Sequence, residues 1–419
     1  MAKVSGVSAD LIAGTTVAIV ALPLALGFGI TSGMSAAAGL TTAIIAGFIA
    51  ALFGGSKYQV SGPTGAMTVV LLPIIHSYGV QAIPFLGLLA GAMVILFALL
   101  RLGKTINRIP WSVVEGFTVG IAFVIALQQL PLALGIPKGA GERSIVVAIN
   151  TFKDAIASGI HWQVLAVTAL TLLVKFSYPK LATRIGIKVH IPASFMAIVV
   201  ITLAVKLLGL SVNTIGDIPR SIGSWAGKNI SITDASHLLW PAFLIALLCA
   251  IESLLSARVA DGMAHQKGED KYKPNRELFG QGLATAISSM FGGMPATGAI
   301  ARTSVNVRAG AKSRNASAFH AAILLAVALV AAPLVSQIPA AAIAGVLIGT
   351  SYRILNPVSI IESLRTTRSE AIVLVSTAVA TLFIDLILGI AIGIVLHFVL
   401  QQAISKRVKL ESRNETRAQ

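Results

Sequence analysis

Phe53-Gly54-Gly55, followed by Pro63-Thr64-Gly65-Ala66-Met67, and Phe291-Gly292-Gly293, followed by Pro295-Ala296-Thr297-Gly298-Ala299-Ile300, are the two stretches on which the fold turns. Each joins a phenylalanine and two glycines to a Thr-Gly-Ala that opens a short apolar run. Chain this rich in Gly and Pro is not helical. Each short run is about half of the ~20 residues that cross a bilayer as a helix. Working outward, candidate spans fall near 9–30, 36–54, 63–77, 82–100, 113–135, 161–177, 190–209, 237–262, 275–291, 297–309, 316–335, 339–352, 369–384 and 386–403. One copy of the motif lies in span three and the other in span ten. Seven spans separate them, an odd number, so the copies run in opposite directions through the bilayer. The expected fold is an all-α polytopic membrane protein of fourteen segments, a seven-plus-seven inverted repeat with half-helices at spans three and ten.

Composition agrees. Of 419 residues, 56% are hydrophobic and 11% charged, against about 25% charged in soluble domains. Mean hydropathy is +0.86. An ordinary soluble domain and a disordered chain are both excluded. The apolar runs are continuous rather than alternating, which excludes an outer-membrane barrel. Cys249 is the single cysteine, so no disulfide framework or cysteine metal site forms. The seven histidines make no close pair, so no zinc site and no metal or other cofactor is expected. No nucleophile–base or metal constellation marks an enzyme. The first apolar run leads straight into further spans, unlike a cleavable signal peptide.

The net charge of +16 would suit nucleic acid, but its distribution does not. With the N-terminus in the cytoplasm, 24 of the 32 Lys and Arg fall on the cytoplasmic side, among them Lys57, Lys175, Lys273, Arg314 and five in the tail. Outside loops hold five: Lys138, Arg143, Lys153, Arg220 and Lys228. Lys206, Arg258 and Arg302 lie within spans. The positive-inside rule predicts this asymmetry. The expectation is a multi-pass protein of the bacterial inner membrane with both termini cytoplasmic, in contact with lipid and not with nucleic acid.

Non-helical backbone at membrane depth is tolerated where it is buried or lines a cavity. Two half-helices whose N-termini meet near the midplane would converge unpaired N–H groups and positive dipole ends there. Such a place binds anions, and interrupted helices in matching halves mark a transporter's site. Pro63 suits the first turn of a helix, and Thr297 reads as an N-cap. Gly65, Ala66, Gly298 and Ala299 are small enough for a ligand to approach the backbone. Close helix packing explains one Thr-Gly-Ala equally well; two at matching positions point to a site.

Ionisable residues at membrane depth are costly and mark function. Arg302 follows Gly298 by four residues and would share its helix face, aiming a permanent cation at the half-helix N-termini. Glu252 lies deep in span eight, with Ser256 one turn on. The competing reading is a structural Glu252–Arg302 ion pair. Both hold in turn if an arriving anion neutralises Arg302 and leaves Glu252 desolvated beside negative charge, so that it takes up a proton. That couples an anion to a proton through two residues. Arg258 and Asp261, three apart, are placed to pair. Glu115 reads as interfacial, Asp385 as a cap, and His76 and His397 as packed or interfacial.

Four segments carry a family resemblance: Ala21-Leu22-Pro23-Leu24-Ala25-Leu26-Gly27-Phe28, Ser61-Gly62-Pro63-Thr64-Gly65, Glu277-Leu278-Phe279-Gly280-Gln281-Gly282 and Ala299-Ile300-Ala301-Arg302-Thr303-Ser304-Val305-Asn306-Val307. By these the chain resembles the SulP (sulfate permease) family of anion transporters over nearly its whole length. Ala250-Ile251-Glu252-Ser253-Leu254-Leu255 looks closest to bacterial members that take up C4-dicarboxylates with protons. The resemblance implies a transmembrane domain over 1–403. Within it, spans 1–4 and 8–11 (about 9–100 and 237–335) would form a core. Spans 5–7 and 12–14 (about 113–209 and 339–403) would form a gate, past which the core moves like an elevator. It implies substrate contacts at Phe28, Thr64, Glu252, Ser256, Ala299, Ala301 and Arg302, Glu252 being also the proton-coupling residue of the reading above, and a homodimer through the gate. Gly65 and Gly298 join the substrate-binding set through the half-helix reasoning.

Two departures stand out. Sodium-coupled bicarbonate members carry Asp at the Glu252 position and Thr at the Ile300 position, and isoleucine offers sodium no oxygen. Residues 404–419 read as a polar basic cytoplasmic tail rather than the family's STAS domain. The expected function is secondary active, proton-coupled transport of a small dicarboxylate of the fumarate or succinate class. Sulfate or bicarbonate on the same fold is the alternative. A passive anion channel shares Arg302 and the half-helices but has no use for Glu252. A nucleobase–proton symporter of related fold has no use for Arg302.

Overall fold

The computed structural model describes residues 6–106, 109–141, 143–186, 191–226, 235–355, 357–384 and 386–418. Asp385 and the basic residues Lys3, Arg108, Lys188 and Lys228 lie outside them.

In the first half, α1 (Gly6–Thr31), α2 (Ala36–Phe53), α3 (Gly65–Tyr78) and α4 (Ile83–Leu99) lead through the short α5 (Gly103–Ile106) to α6 (Trp111–Gln128). After α7 (Leu130–Leu134) come α8 (Ser144–Ser158), α9 (Trp162–Ile185) and α10 (Ala193–Leu207). The second half holds α11 (Ala235–Met263), α12 (Pro274–Met290), α13 (Ile300–Arg308), α14 (Asn315–Val330), α15 (Ala332–Val335) and α16 (Ala340–Ile354). It ends with α17 (Pro357–Thr366), α18 (Arg368–Phe383) and α19 (Leu386–Ala418). Seven helical stretches among the described residues are long and apolar enough to cross a membrane. The protein is an all-α polytopic membrane protein. In such a fold the apolar face of each helix meets lipid or other helices, so the helices are apolar nearly all round.

The helices sort into two packed groups. α1, α2, α4, α11, α12 and α14 form one, with α13 lodged against α1 and α11. α6, α9, α10, α16, α18 and α19 form the other. Pairings repeat when the halves are exchanged. α4 packs on α12 as α14 packs on α2; α1 packs on α14 as α11 packs on α4. In the second group α6 packs on α18 as α16 packs on α9, and α18 packs on α19 as α9 packs on α10. That correspondence is the seven-plus-seven repeat in three dimensions. Small residues set the tightest contacts. A Cβ at Gly39 would stand 1.9 Å from the Ala25 carbonyl, and one at Gly91 2.5 Å from the Gly282 carbonyl.

Four features depart from the sequence reading. α8 and α17, read as loops, are amphipathic helices at matching places in the two halves, before α9 and α18. They break the single apolar run into alternate faces, which a search for continuous runs passes over. Residues 404–418, read only as a polar basic tail, are helical backbone that continues α19. Lys175, assigned to the cytoplasmic surface, is fully buried between α9 and α16, where Nζ donates to the Val346 carbonyl at 2.5 Å and to Thr350 Oγ1 at 2.7 Å. Glu115, read as interfacial, is buried on α6 and accepts a hydrogen bond from Ser363 Oγ of α17.

Candidate functional site

α3 and α13 are the two interrupted elements. At about 1.5 Å per residue they are roughly 21 and 14 Å long, against about 30 Å of hydrocarbon. The extended residues before them pair as a two-residue antiparallel ribbon, β1 (Ser61–Gly62) with β2 (Thr297–Gly298), in the register Ser61 to Gly298 and Gly62 to Thr297. Ala299 N–H donates to the Val60 carbonyl at 2.9 Å and lengthens it. The interrupted segments therefore satisfy each other's backbone, as apolar surroundings demand. Because both helices leave this ribbon, their N-termini converge.

The side chains of the second half hold the first broken segment. Glu277 Oε2 accepts from Gly55 N–H at 2.7 Å and Ser56 N–H at 2.8 Å. Gln281 Nε2 donates to Ser61 Oγ at 2.5 Å and to Glu277 Oε1 at 2.9 Å. Asn306 Nδ2 donates to the Tyr58 carbonyl at 2.8 Å, and Ser317 Oγ to the Gln59 carbonyl at 2.7 Å. Thr42 of α2 returns the support, its Oγ1 accepting from Met294 N–H at 2.7 Å. Glu277→Ala strips acceptors from three buried donors, each costing about 1–3 kcal/mol when left unpaired. A loss of roughly 3 kcal/mol or more is expected, read as a lowered unfolding midpoint in detergent; an unchanged midpoint would remove Glu277 from this role.

At the crossing stands Glu252. Its Oε2 accepts from Thr64 Oγ1 at 2.9 Å and from Thr297 Oγ1 at 2.7 Å, one hydroxyl from each broken segment. The two hydroxyls lie 3.2 Å apart. Thr64 is also the N-cap of α3, accepting from Met67 N–H at 3.4 Å. Two expectations are corrected. Pro63 precedes the cap instead of opening the helix, because Thr64 supplies the capping oxygen. Thr297 does not cap α13, whose N-cap is Ala299; its hydroxyl is committed to Glu252 instead.

Arg302 is 1% exposed and points inward, across to the opposite broken segment. Its Nη2 donates to the Pro63 carbonyl. Its Nη1 is buried without a partner among the described residues. It forms no ion pair with Glu252, whose Oε2 accepts from both threonines, so the direct structural pair is not present here. Gly298 belongs to the ribbon and not to a helix face shared with Arg302. Gly62 explains the missing side chain beside the guanidinium. Its φ is +154°, and a Cβ there would stand 2.6 Å from Arg302 Nη1. Gly62→Ala is expected to displace the guanidinium and cut anion uptake at least about tenfold, ~1.4 kcal/mol, with an unchanged elution profile. Uptake within twofold of the parent would show that the guanidinium position does not matter.

The remaining candidates divide. Phe28 and Gly65 lie together, a Gly65 Cβ falling 3.3 Å from Phe28 Cε1 and 2.1 Å from Ile125 Cδ1 of α6. Ala299 is nearly buried and Ala301 is exposed. Ser256 is fully buried, its Oγ donating to Thr303 Oγ1 at 3.0 Å, which in turn accepts from Val60 N–H at 3.0 Å. Ser256 thus braces the ribbon. Gly298 N–H is likewise committed, to Ser253 Oγ at 3.0 Å. Sequence reasoning missed three groups. Gln59 is buried with both amide atoms unpartnered among the described residues, its Nε2 lying 1.8 Å from where a Gly298 Cβ would sit. Ile125 closes over Gly65 from the second helix group, and Gln128 accepts from Thr68 Oγ1 at 3.1 Å. No sequence pattern distinguishes these long-range contacts.

A site of this kind, with a ribbon, two half-helix N-termini, one guanidinium and one carboxylate, can be compared with known proteins. YvdB of Bacillus subtilis (strain 168), described as a candidate sulfate transporter, is 37% identical over 386 residues, 90% of this chain and 70% of that protein. The bicarbonate transporter BicA of Picosynechococcus sp. is 30% identical over 391 residues, 90% of this chain and 67% of that one. The solved transmembrane domain of a cyanobacterial bicarbonate transporter BicA superposes with a TM-score of 0.83 at 29% identity, covering 92% of this chain and 98% of that domain. The murine Slc26a9 anion transporter in its inward-facing state shares the fold, with a TM-score of 0.80 at 16% identity over 94% of this chain and 68% of that one. The profile of the sulfate permease family matches residues 7–377, spanning both broken segments, Glu252 and Arg302. The chain belongs to the sulfate permease family of membrane anion transporters.

Proposed function

We propose that the protein is a secondary active transporter that moves a small anion together with a proton. The observation that carries this reading is Glu252, a buried carboxylate whose Oε2 bridges hydroxyls from both broken segments. A channel needs only the positive end of such a site. A carboxylate at its centre, adjoining the ends of both half-helices, gives a proton somewhere to ride. Arg302 and the first-turn N–H groups of α3 and α13 hold the anion. Phe28, Thr64, Gly65, Ala299 and Ala301 line it, and Ser256 and Gly298 keep the ribbon in place.

The two helix groups serve as core and gate. The core would carry the ribbon and its half-helices past α6, α9, α10, α16, α18 and α19 as a rigid body. Gly65 suits that motion because it leaves Ile125 Cδ1 room, which a Cβ there would approach to 2.1 Å. The membrane is the bacterial inner membrane, with both termini cytoplasmic, and a homodimer would form through the gate. Relatives named for sulfate and bicarbonate support a small oxyanion, and Ala250–Leu255 supports a C4-dicarboxylate; one guanidinium between two helix ends fits either.

The test is uptake into proteoliposomes of labelled fumarate, succinate, sulfate and bicarbonate, each with and without an inward proton gradient. Concentrative uptake of one of them, driven by the gradient, is expected. Downhill flux that ignores the gradient would make the protein a channel or uniporter.

A further inference from the structure

A cavity of about 380 Å³ separates the two helix groups at the end of the bundle where α1 ends and α8 begins. Ile30 of α1 and Leu72 of α3 form one wall, and Leu132 of α7 and Val147 of α8 the other. Gln128 closes the floor and ties it to α3 through Thr68. Neither Glu252 nor Arg302 lines this space. Its polar lining includes Thr31, Gln128, Ser144 and Thr381. Lys138 and Arg143 line the rim, and no acidic side chain is among the described lining residues. Gln128 Nε2 is buried without a partner among the described residues. Both cations are exposed, so they meet solvent at the cavity mouth.

Ligand sites of a few hundred Å3 with apolar walls and a few convergent polar groups take small organic molecules. The charged side chains at the described rim are the cations Lys138 and Arg143, and a negative head is complementary to them. We propose that this cavity binds an amphipathic organic anion, an apolar body bearing one carboxylate or sulfonate, with the head at Lys138 and Arg143 and the body between α3 and α8. One wall is carried by α1 and by α3, which packs on α1 and α11, and the other by α7 and α8, which pack on α16 and α6, so an occupant holds the two helix groups in the arrangement seen here. That consequence rests on the two-group transport reading; the binding itself does not.

The probe is 4-phenylbutyrate, with 4-phenyl-1-butanol as its uncharged counterpart. Each is titrated calorimetrically into the protein in lipid nanodiscs, with empty nanodiscs subtracted. Saturable binding of the carboxylate and not of the alcohol is expected. Lys138→Ala combined with Arg143→Ala should weaken it at least tenfold, and Val147→Trp, which fills the cavity, should abolish it. In proteoliposomes the carboxylate should then lower maximal uptake without changing the KM of the transported anion. Equal partition of acid and alcohol, or binding that survives both variants but is lost in Arg302→Ala, would overturn the proposal. Either result leaves the transport reading standing, since the titration involves no transport. Loss of gradient-driven uptake without probe would instead sink that reading and leave the cavity's binding intact.

Discussion

Arg302→Ala is expected to reduce anion uptake at least about a hundredfold, equivalent to ~2.8 kcal/mol, while the protein still folds. A guanidinium 1% exposed at membrane depth is expensive, and an uncompensated buried charge costs several kcal/mol. The fold recovers only part of that. Nη2 has the Pro63 carbonyl, whereas Nη1 has nothing among the described residues, and Glu252 is turned toward the threonines. A group so poorly paid for within the protein is retained for what it binds. Its removal should therefore leave the unfolding midpoint unchanged or raise it. Arg302→Lys separates charge from geometry. An ammonium keeps the charge but cannot present a rigid fork to the Pro63 carbonyl and an anion together. Uptake about tenfold below the parent is expected, between the two extremes. Uptake within twofold of the parent in the alanine variant would show that the anion is held elsewhere.

What the sequence could disclose depended on how local each signal was. The interruption at Gly54–Thr64 and its inverted copy at Gly292–Gly298 are runs of Gly, Pro and Thr, legible residue by residue. Glu252 and Arg302 are legible too, because an ionisable group in an apolar run has few structural excuses. The ribbon between Ser61–Gly62 and Thr297–Gly298 is not, since it joins segments more than 230 residues apart and leaves no periodicity in either. Thr297 was misread for that reason: before a helix, a threonine reads as a cap, and only the tertiary contact shows its hydroxyl committed to Glu252. Glu277 and Gln281 could be picked out as a motif, but their task of holding Gly55, Ser56 and Ser61 is non-local. Lys175 misled in the other direction. Counting basic residues by loop assumes they reach water, and this one is buried beside α16.

Glu252→Gln is expected to leave anion movement intact and to remove its dependence on the proton gradient. Glutamine keeps the shape and can still accept from Thr64 and Thr297, but it neither gains nor loses a proton near neutral pH. The size of the effect follows from thermodynamics. If Glu252 carries one proton per anion, a gradient of one pH unit supplies ~1.4 kcal/mol and can sustain up to about tenfold accumulation. In the glutamine variant that factor falls to one, while exchange of labelled for unlabelled anion across equal pH continues. The charge moved per cycle follows from the same count. One proton with a monoanion moves no net charge, so the potential does not affect steady accumulation in the parent but opposes it in the variant. One proton with a dianion carries one negative charge inward, against which an inside-negative 100 mV stands at about 2.3 kcal/mol. Replacing the carboxyl would double that burden. Measuring accumulation at fixed potential and varied pH in parent and variant therefore reads both the coupling and the valence of the anion. A variant that accumulates the anion with the parent's response to the gradient would mean that the proton travels on another group, and Glu252 would be left as a brace between two threonines.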